Sequence, residues 1–313
     1  MKEPNLYDNM EFVSCPVCEF QSTKNPDIIA PGFQYGFDFE YKYSKCSQCN
    51  TYYQNPRVNP KHISSFYTKI YYTNPNLRGH LERKLRNIKW ALEMRWGYRV
   101  PKIKGRLLDY GAGSGEYLSK LYQYGWDDLW GYDPSPESFI TKEETVSRIY
   151  ENDLFPVSDQ LKGSFDYIHS FHSLEHVPNP TKVLDAWYQL LKPGGKIIIA
   201  TPYIASFFSR LFNRYWYYLT APLHYVLFTS KSLEKVLQNV GFEIDHVKYR
   251  STSQCLWGSL DFLLHSMQNN YSKPANMFLN KRLILMLLGK PLRLLLDTIN
   301  EGDTLVIIAK KPS

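Results

Sequence analysis

The stretch that decides the fold is L-L-D-Y-G-A-G-S-G-E-Y-L, residues 107–118. A short apolar run meets an acid, and glycines then stand at alternate positions 111, 113 and 115. This pattern is typical of a buried parallel strand that turns sharply into a helix. Glycine permits left-handed backbone conformations and lets a ligand approach the main chain closely. We therefore expect a ligand-binding turn here, and a tight turn without a ligand is the structural alternative.

The motif excludes two common nucleotide loops. A Walker loop requires G-x-x-x-x-G-K-[ST], which is absent, and a dinucleotide fingerprint requires a third glycine where Glu116 stands. S-adenosylmethionine has no pyrophosphate and fits a tight glycine turn followed by an acid for the ribose hydroxyls. Asp133 ends the next predicted strand, where a carboxylate would meet a ribose diol. The alternative for Asp133 is that it caps a helix beginning at Pro134.

The chain from residue 105 onwards predicts alternating strands and helices. Such alternation implies a mainly parallel sheet covered on both faces, which is an α/β fold. Strands are predicted at 107–110, 129–133, 148–150, 165–170, 196–201, 242–249 and 303–309, and helices at 77–98, 115–124, from about 135, 181–191 and 230–239.

Two Cys-x-x-Cys pairs, C-P-V-C and C-S-Q-C, lie near the N-terminus. Together they supply four thiolates, which is the ligand set of a closed, structural zinc site. The interval between the pairs is longer than usual, and free structural thiols are the alternative. Aromatic alternation over 37–43 predicts a strand leading into the second pair, and 51–76 is predicted to be an irregular linker with a short helix. The metal ligands would be Cys15, Cys18, Cys46 and Cys49.

The composition is that of a globular protein. A formal net charge of +7 would suit an anionic partner, although solubility is the plainer explanation. No apolar run reaches the length of a signal peptide core or a membrane-spanning helix, so we expect a cytoplasmic location. Cysteines in that compartment are reduced and are better interpreted as metal ligands than as disulfides.

Four ordered motifs resemble the class I S-adenosylmethionine-dependent methyltransferases, particularly the group with an L-E-H-V segment after the fourth strand. They are L-D-Y-G-A-G-S-G, G-Y-D-P-S, F-D-Y-I-H-S-F-H-S-L-E-H-V-P-N-P and L-L-K-P-G-G-K-I-I-I-A-T-P. The resemblance covers roughly residues 100–250 and the last strand. It implies a Rossmann-like, doubly wound sheet of seven strands with an antiparallel last strand, and S-adenosylmethionine as the methyl donor.

The resemblance also implies roles for single residues. The glycine turn would line the methionyl end of the cofactor, and the acid after the second strand would hold the ribose. The segment after the third strand would flank the adenine, and the end of the fourth strand would face the sulfonium. The residues implied are Asp109, Gly111, Ala112, Gly113, Gly115, Asp133, Pro134, Asp153, Leu154, Ser170 and Phe171.

The segment K-C-S-Q-C-N-T-Y-Y-Q-N-P-R-V-N-P, followed by I-S-S-F-Y, resembles the N-terminal zinc ribbon of one branch of these enzymes. That branch is frequent in sugar, surface-polysaccharide and natural-product pathways. We predict a zinc ribbon and linker at 1–76 and a methyltransferase domain at 77–313, with helical insertions at 203–228 and 251–301. The ribbon loops are richer in tyrosine than in basic residues, so nucleic acid is not an expected partner.

Methyl transfer to a hydroxyl requires alignment with the sulfonium and a base that takes the proton. Candidate bases are His172 and His176, which follow the fourth strand, and His224 in P-L-H-Y-V-L-F-T. That last segment resembles the family's histidine shortly before F-T. Backbone hydrogen bonding is the alternative for His176, and packing within a lid is the alternative for His224.

The two insertions are expected to contact the acceptor. We predict O-methylation of a sugar or polysaccharide precursor, and a lipid-linked precursor would also fit this prediction. The 251–301 insertion mixes leucines with basic residues such as Lys290 and Arg293, as amphipathic helices on the inner membrane face do. Packing on the sheet or in a dimer contact is the plainer explanation of these leucines. Alternative functions are methylation of a small aromatic or quinone-type ring, and a catalytically silent zinc-ribbon protein that binds a partner.

Overall fold

A computed structural model describes residues 9–21, 25–32, 39–67, 101–134, 146–267 and 289–313. The predicted helices at 77–98 and from about 135 lie outside the described residues, as does the predicted domain boundary at residue 76. The strands are β1 (Met10–Glu11), β2 (Ile28–Pro31), β3 (Glu40–Lys45), β4 (Tyr52–Gln54), β5 (Arg57–Val58), β6 (Leu107–Tyr110), β7 (Leu129–Tyr132), β8 (Ser147–Arg148), β9 (Phe165–Phe171), β10 (Leu191–Pro202), β11 (Val226–Leu227), β12 (Glu243–Arg250) and β13 (Thr304–Lys310). The α-helices are α1 (Glu116–Gln123), α2 (Glu151–Leu154), α3 (Pro180–Leu190), α4 (Phe207–Phe212), α5 (Ser230–Val240), α6 (Ser253–Met267) and α7 (Lys290–Thr298), and the 3-10 helices are Pro60–Phe66, Leu174–His176, Asn213–Tyr215 and Tyr217–Leu219.

A seven-stranded mixed sheet forms the centre of the molecule, with the order β12-β13-β10-β9-β6-β7-β8. Only β13 runs antiparallel to its neighbours β10 and β12, as the resemblance implied. The parallel strands β6, β7 and β9 end at one edge, which we call the carboxyl edge. Open α/β sheets bind their ligands at this edge, so it locates the candidate site.

Burial explains why these segments form a strand and a helix. All four residues of β6 are buried, as expected for a strand covered on both faces. The following helix α1 buries only the stripe of Tyr117, Leu118 and Leu121, as a surface helix does. Further along, α5 ends at Gly241 with φ +111, which confirms the predicted helix end.

A second sheet, with the order β11-β4-β3-β2, joins the N-terminal segment to the 203–228 insertion. Val226 of β11 pairs with Tyr53, and Leu227 pairs with Tyr52. The prediction of irregular structure over 51–76 is therefore wrong for β4 and β5, although the short helix Pro60–Phe66 is present. These strands are only two or three residues long, which gives no local alternation to detect; β5 pairs with β1, and β4 pairs with neighbouring β3 and distant β11.

Smaller corrections follow from local geometry. The strand predicted at 148–150 is observed as β8, which begins and ends earlier because α2 begins at Glu151. The predicted strand at 37–43 begins at Glu40 among the described residues. The 203–228 insertion, predicted to be helical, contains β11 as well as helices. Among the helices of the described ranges, none is long and apolar enough to cross a membrane.

Candidate active site

The turn after β6 has the conformation that its glycines permit. Gly111, Gly113 and Gly115 have φ values of +84°, +52° and +72°, in the region that glycine favours. A Cβ added to Gly111 would overlap the Oγ of Ser173 at 2.0 Å, whereas one added to Gly113 would meet no atom of the described structure within 4 Å. The turn is therefore packed against the segment after β9 at Gly111, and at Gly113 no described residue would obstruct a side chain.

Asp133 lies directly beside this turn. Its Oδ2 accepts a 2.7 Å hydrogen bond from the backbone N–H of Gly113. The N–H groups of Gly111 and Ala112 donate to the carbonyl of Tyr132 at 2.8 and 2.9 Å. These contacts join the end of β7 to the turn, and we call residues 111–115 and Asp133 the cofactor edge. A half-buried carboxylate next to an open glycine turn fits a ribose diol.

The end of β9 contributes an unsatisfied hydroxyl. Ser170 Oγ is buried and has no hydrogen-bond partner among the described residues. Such orphaned groups are uncommon in folded proteins, and a bound ligand would satisfy this one. Phe171 packs edge-on against Tyr117 with ring centroids 5.7 Å apart. Asp109 is buried within β6, two residues before the turn begins at Gly111.

The residues predicted to flank the adenine lie in α2, directly after β8. Since β8 pairs in parallel with β7, α2 begins at the carboxyl edge. Leu154 is buried, and Asp153 Oδ2 accepts a 3.3 Å hydrogen bond from the N–H of Tyr150. Pro134 is exposed beside Asp133. All the predicted cofactor residues therefore lie in β6 or β9, or in the segments that directly follow β6, β7 and β8.

The three candidate bases meet around one carboxylate, Glu175, which our sequence prediction did not include. Glu175 is fully buried and its Oε2 accepts a 3.0 Å hydrogen bond from Thr201 Oγ1. Its Oε1 lies 3.3 Å from His172 Nδ1 and 3.9 Å from His224 Nε2. The ring of His176 packs edge-on against His224 at 4.6 Å between centroids. We call His172, Glu175, His176 and His224 the histidine cluster.

Backbone carbonyls fix two of these rings. His224 Nδ1 lies 2.9 Å from the carbonyl oxygen of Tyr218. His176 Nδ1 lies 3.1 Å from that of Leu223, so the backbone hydrogen bond considered for His176 is present. A carbonyl only accepts hydrogen bonds, and each Nδ1 must therefore carry the proton. In both neutral rings Nε2 then carries the lone pair.

Burial determines the protonation of the cluster. Burial lowers the pKa of His224 to about 3 and also lowers the pKa of His176, so both rings are neutral at pH 7. Burial alone would raise the pKa of Glu175, but its contact with His172 prevails and lowers it, so the carboxylate is ionised. The negative charge of Asp133 raises the pKa of His176 and so partly offsets the effect of burial. The cofactor edge therefore lies within electrostatic range of the histidine cluster.

His172 differs from buried His224 and half-buried His176. Its side chain is 35% exposed, and its ring stacks on Tyr218 with centroids 5.5 Å apart. Its φ of +53° places a non-glycine residue in the left-handed region, a kind of backbone strain that clusters at functional sites. The open position of His172 makes it the histidine that an acceptor could reach.

The second sheet forms the wall behind the histidine cluster. Tyr43 Oη donates a 2.7 Å hydrogen bond to the carbonyl of His224. Gln54 Nε2 donates to the carbonyl of Pro222 at 3.2 Å, and Tyr67 Oη lies 3.3 Å from His176 Nδ1. The N-terminal segment therefore positions the strand-free part of the 203–228 insertion that carries His224.

The four N-terminal cysteines converge on one point. The sulfurs of Cys15 and Cys49 are 3.5 Å apart, as are those of Cys18 and Cys46. All four sulfurs lie within 4.8 Å of one another. Zn–S bonds of about 2.3 Å in a tetrahedron imply S–S distances of about 3.8 Å, which fits this spacing. The hydrogen bond with Cys15 lowers the pKa of Cys49, which favours the thiolate form of this sulfur.

The two cysteine turns share one backbone conformation. The N–H of Glu19 donates to the carbonyl of Cys15 at 2.8 Å, and the N–H of Asn50 donates to that of Cys46 at 2.9 Å. Glu19 and Asn50 have φ values of +60° and +61°. Paired turns that present their sulfurs to a common centre are compatible with a single zinc ion.

A family model described as a methyltransferase domain matches residues 70–247, which is more than half of the chain. The chain belongs to this methyltransferase family. The prediction of a class I S-adenosylmethionine-dependent methyltransferase fold is confirmed, with a mixed Rossmann-like sheet.

Two curated relatives each match about a third of the chain. A tRNA U34 carboxymethyltransferase of Idiomarina loihiensis is 30% identical over 127 residues, which cover 36% of this chain and 39% of the relative. A ubiquinone biosynthesis O-methyltransferase of Nitrosococcus oceani is 36% identical over 101 residues, covering 31% of this chain and 43% of the relative. The chain thus matches less than half the length of either protein.

Solved structures of similar fold include two S-adenosylmethionine-dependent methyltransferases. The one from Mesorhizobium loti has a TM-score of 0.44 and 16% identity, covering 68% of this chain and 94% of its own. The one from Archaeoglobus fulgidus has a TM-score of 0.46 and 19% identity, covering 74% and 98%. At this level of similarity neither structure informs the chemistry of the site.

Proposed function

We propose that this chain transfers the methyl group of S-adenosylmethionine to a hydroxyl oxygen of a saccharide precursor. The observation that carries the hydroxyl acceptor is the contact between buried, ionised Glu175 and the partly exposed His172. A carboxylate that orients an imidazole is the arrangement of a general base. Bound S-adenosylmethionine would supply a sulfonium methyl group, whose carbon an oxygen nucleophile attacks with S-adenosylhomocysteine as the leaving group.

The chain's own residues align the acceptor and accept its proton. Glu175 Oε1 faces Nδ1 of His172, which leaves Nε2 to take the proton. The acceptor O–H bond breaks and the proton passes to His172. The oxygen forms a bond to the methyl carbon while the sulfur keeps the electron pair of the broken C–S bond. The proton then passes from the exposed face of His172 to water.

The cofactor edge is proposed to bind S-adenosylmethionine. Asp133 would hold the ribose hydroxyls, and the open face at Gly113 would accommodate the methionyl end. The buried hydroxyl of Ser170 and the carboxylate of Asp109 would face the cationic end, with Asp153 and Leu154 beside the adenine. The orphaned Ser170 hydroxyl and the bond from Gly113 to Asp133 support this assignment.

A polyhydroxyl acceptor suits the polar lining of the histidine cluster. Tyr67 and Tyr218 are half-buried rings beside His176 and His172, and both rings and hydroxyls are favourable contacts for sugars. We would incubate the purified chain with methyl-labelled S-adenosylmethionine and a panel of nucleotide sugars, with Asp133→Ala as the inactive control. Transfer to a sugar by the native chain alone supports the proposal. Transfer to no sugar, with S-adenosylmethionine bound normally, contradicts it.

A quinone-type or phenolic ring is the second candidate acceptor. It is favoured by the ubiquinone biosynthesis O-methyltransferase among the relatives. Phenolic hydroxyls lose their protons more easily than sugar hydroxyls, so they depend less on a base. Adding hydroxyphenols to the same panel distinguishes the two, since a phenol acceptor would retain more activity in His172→Gln than a sugar would.

The N-terminal segment up to about residue 76 is proposed to be a zinc ribbon. Four cysteine sulfurs leave no open coordination position, so this ion would be structural. The shared sheet with β11 makes the ribbon part of the acceptor wall. Elemental analysis of native protein and of Cys46→Ser tests it: the variant should lose one zinc ion per chain.

An exposed apolar stripe runs along the helix α7 to Ile299, the residue that directly follows it; Leu292, Leu295 and Ile299 are 40%, 56% and 55% exposed. Lys290 and Arg293 flank this stripe, so we propose that it docks on an anionic membrane. Co-sedimentation with phosphatidylglycerol vesicles, but not with neutral ones, should fall in Leu295→Glu. A changed oligomeric state without vesicle binding would assign the stripe to a dimer contact instead.

A further inference from the structure

We propose that Glu175, His176 and His224 form a second metal site, separate from the four cysteines, which holds a divalent transition-metal ion beside the acceptor. The role given below to this ion rests on the proposed methyl transfer, whereas the site itself does not. The metal site changes the assignment of the three predicted bases, because His176 and His224 become ligands and only His172 remains as a base.

The three side chains converge closely. One ligand atom from each lies within 4.8 Å of the other two. Glu175 is fully buried and His224 is 4% exposed, so water does not compete freely for these atoms. His224 Nε2 and Glu175 Oε1 are 3.9 Å apart. A small movement of either side chain would place both atoms within bonding distance of one metal ion.

A cation would stabilise the hydrogen-bond acceptors that meet at the centre of these three side chains. The carbonyls of Tyr218 and Leu223 fix the protons of His224 and His176 on Nδ1, so that each Nε2 is an acceptor. Glu175 Oε1, which faces His172 Nδ1 at 3.3 Å, is also an acceptor and lies only 3.9 Å from His224 Nε2. Acceptors that face one another in a buried place are unfavourable unless a proton or a cation lies between them.

The backbone carbonyls also have the role that they have at known metal sites. Metal-binding histidines almost always donate their other ring N–H to a carbonyl or a carboxylate, which orients the ring. Both His176 and His224 are held in this way, and Thr201 Oγ1 holds the second oxygen of Glu175. The three ligand atoms are therefore oriented before any ion binds.

The ligand set indicates the class of ion. Two imidazoles and one carboxylate suit Zn²⁺ and neighbouring first-row ions, whereas Mg²⁺ and Ca²⁺ prefer oxygen ligands. Three protein ligands leave a coordination position open, unlike the four thiolates of the ribbon. An acceptor hydroxyl bound there would have a lowered pKa. Its proton would pass to His172 Nε2, and the oxygen would keep its electron pair for attack on the methyl carbon.

Metal counting in the intact chain tests the proposal. We would purify native protein, dialyse it against Zn²⁺ and then metal-free buffer, and measure zinc by plasma mass spectrometry. The two clusters predict two ions per chain. Glu175→Gln and His224→Gln should each lose one ion and keep the cysteine-bound one, whereas Cys46→Ser should lose the other. The exposed His246 provides a matched control, since His246→Gln should keep both ions.

His172→Gln separates a ligand from a base. It should keep both ions and lose methyl transfer, because His172 is assigned to the proton and not to the metal. Replacement by Co²⁺ gives a second readout: the thiolate site should show sulfur-to-metal charge-transfer absorption, and the histidine site only weak visible bands. Cobalt spectra of native protein report on the site even where a variant does not fold.

One zinc ion per chain in native protein, lost in Cys46→Ser, with a cobalt spectrum of thiolate ligation alone, would overturn the proposal. Isothermal titration with S-adenosylmethionine accompanies each sample. Two ions without cofactor binding would refute the proposed function and leave the metal site standing.

Discussion

The cofactor edge and the histidine cluster are neighbours built in different ways. The cofactor edge comes from two short pieces of chain, the turn at 111–115 and Asp133, joined by backbone hydrogen bonds. The histidine cluster is assembled from distant segments, and its His224 is held by Tyr43, 181 residues away in sequence. A contiguous motif thus builds the part that would bind a common cofactor, while long-range contacts build the part that would select an acceptor.

The sharpest way to separate the two regions is to remove the proposed base. His172→Gln should reduce kcat by about 100- to 10,000-fold, since that is the usual contribution of a general base. Its affinity for S-adenosylmethionine should stay unchanged, because His172 is not part of the cofactor edge. Steady-state kinetics with labelled cofactor give the first value and calorimetry gives the second. Full turnover would remove His172 from the mechanism.

Disrupting the ribbon should displace the histidine cluster slightly, without loss of its ligand set, and spare the cofactor edge. Cys46→Ser removes one thiolate, and the free energy of zinc binding that folds such small units is lost with it. Displacement of His224 by about 1 Å would be enough to reduce methyl transfer about 100-fold. Cofactor affinity measured on the same sample should change little. Equal loss of both properties would show that the two regions are not independent.

The pH dependence of stability reports on Asp303, which is linked to the histidine cluster through Thr252 and Tyr218. Burial raises the pKa of Asp303 to about 7, while its carboxylate accepts hydrogen bonds from the N–H of Thr252. Thr252 in turn bonds Tyr218, whose ring stacks on His172. Because the folded pKa exceeds the ordinary value of 3.8, the folded state binds more protons than the unfolded state between about pH 4 and pH 7.

The free energy of unfolding should therefore fall as pH rises through this window, by up to about 4 kcal/mol, because a pKa difference of one corresponds to about 1.4 kcal/mol. Asp303→Asn should flatten that dependence and be relatively more stable at pH 8. Urea unfolding at several pH values measures it. The same decline in both proteins would assign the pH effect to other groups.

The smallest expected effect is the loss of one hydrogen bond behind His224. Tyr43→Phe removes the hydroxyl that donates to the His224 carbonyl and leaves the ring packed. An unsatisfied buried carbonyl costs about 1–3 kcal/mol, and we expect kcat to fall by about five- to tenfold. Tyr122→Phe, which alters an exposed tyrosine, is the control. An unchanged kcat would mean that β11 alone positions His224.

The same contrast explains what could be predicted from sequence. The turn at 111–115, Asp133 and the helix end at Gly241 carry local signals, because dihedral freedom and strand-to-helix spacing depend on near neighbours. The four cysteines were also recognisable by spacing, and their sulfurs do converge.

Glu175 was missed although it stands inside the L-E-H-V segment. An exposed and a buried acid look alike in sequence, and only the fold shows that Glu175 is surrounded by three histidines. The strand β4 was missed because its partners lie in β3 and in the distant β11. Both features depend on contacts between segments, which a local pattern does not encode.

Calorimetric titration of S-adenosylmethionine into native protein, Asp133→Ala and His172→Gln tests the central claim most directly. The account predicts equal binding by native protein and His172→Gln, and a loss of about 10- to 100-fold in Asp133→Ala from the missing charge-assisted hydrogen bonds. Absence of binding by the folded native chain would contradict it, as would equal weakening in both variants.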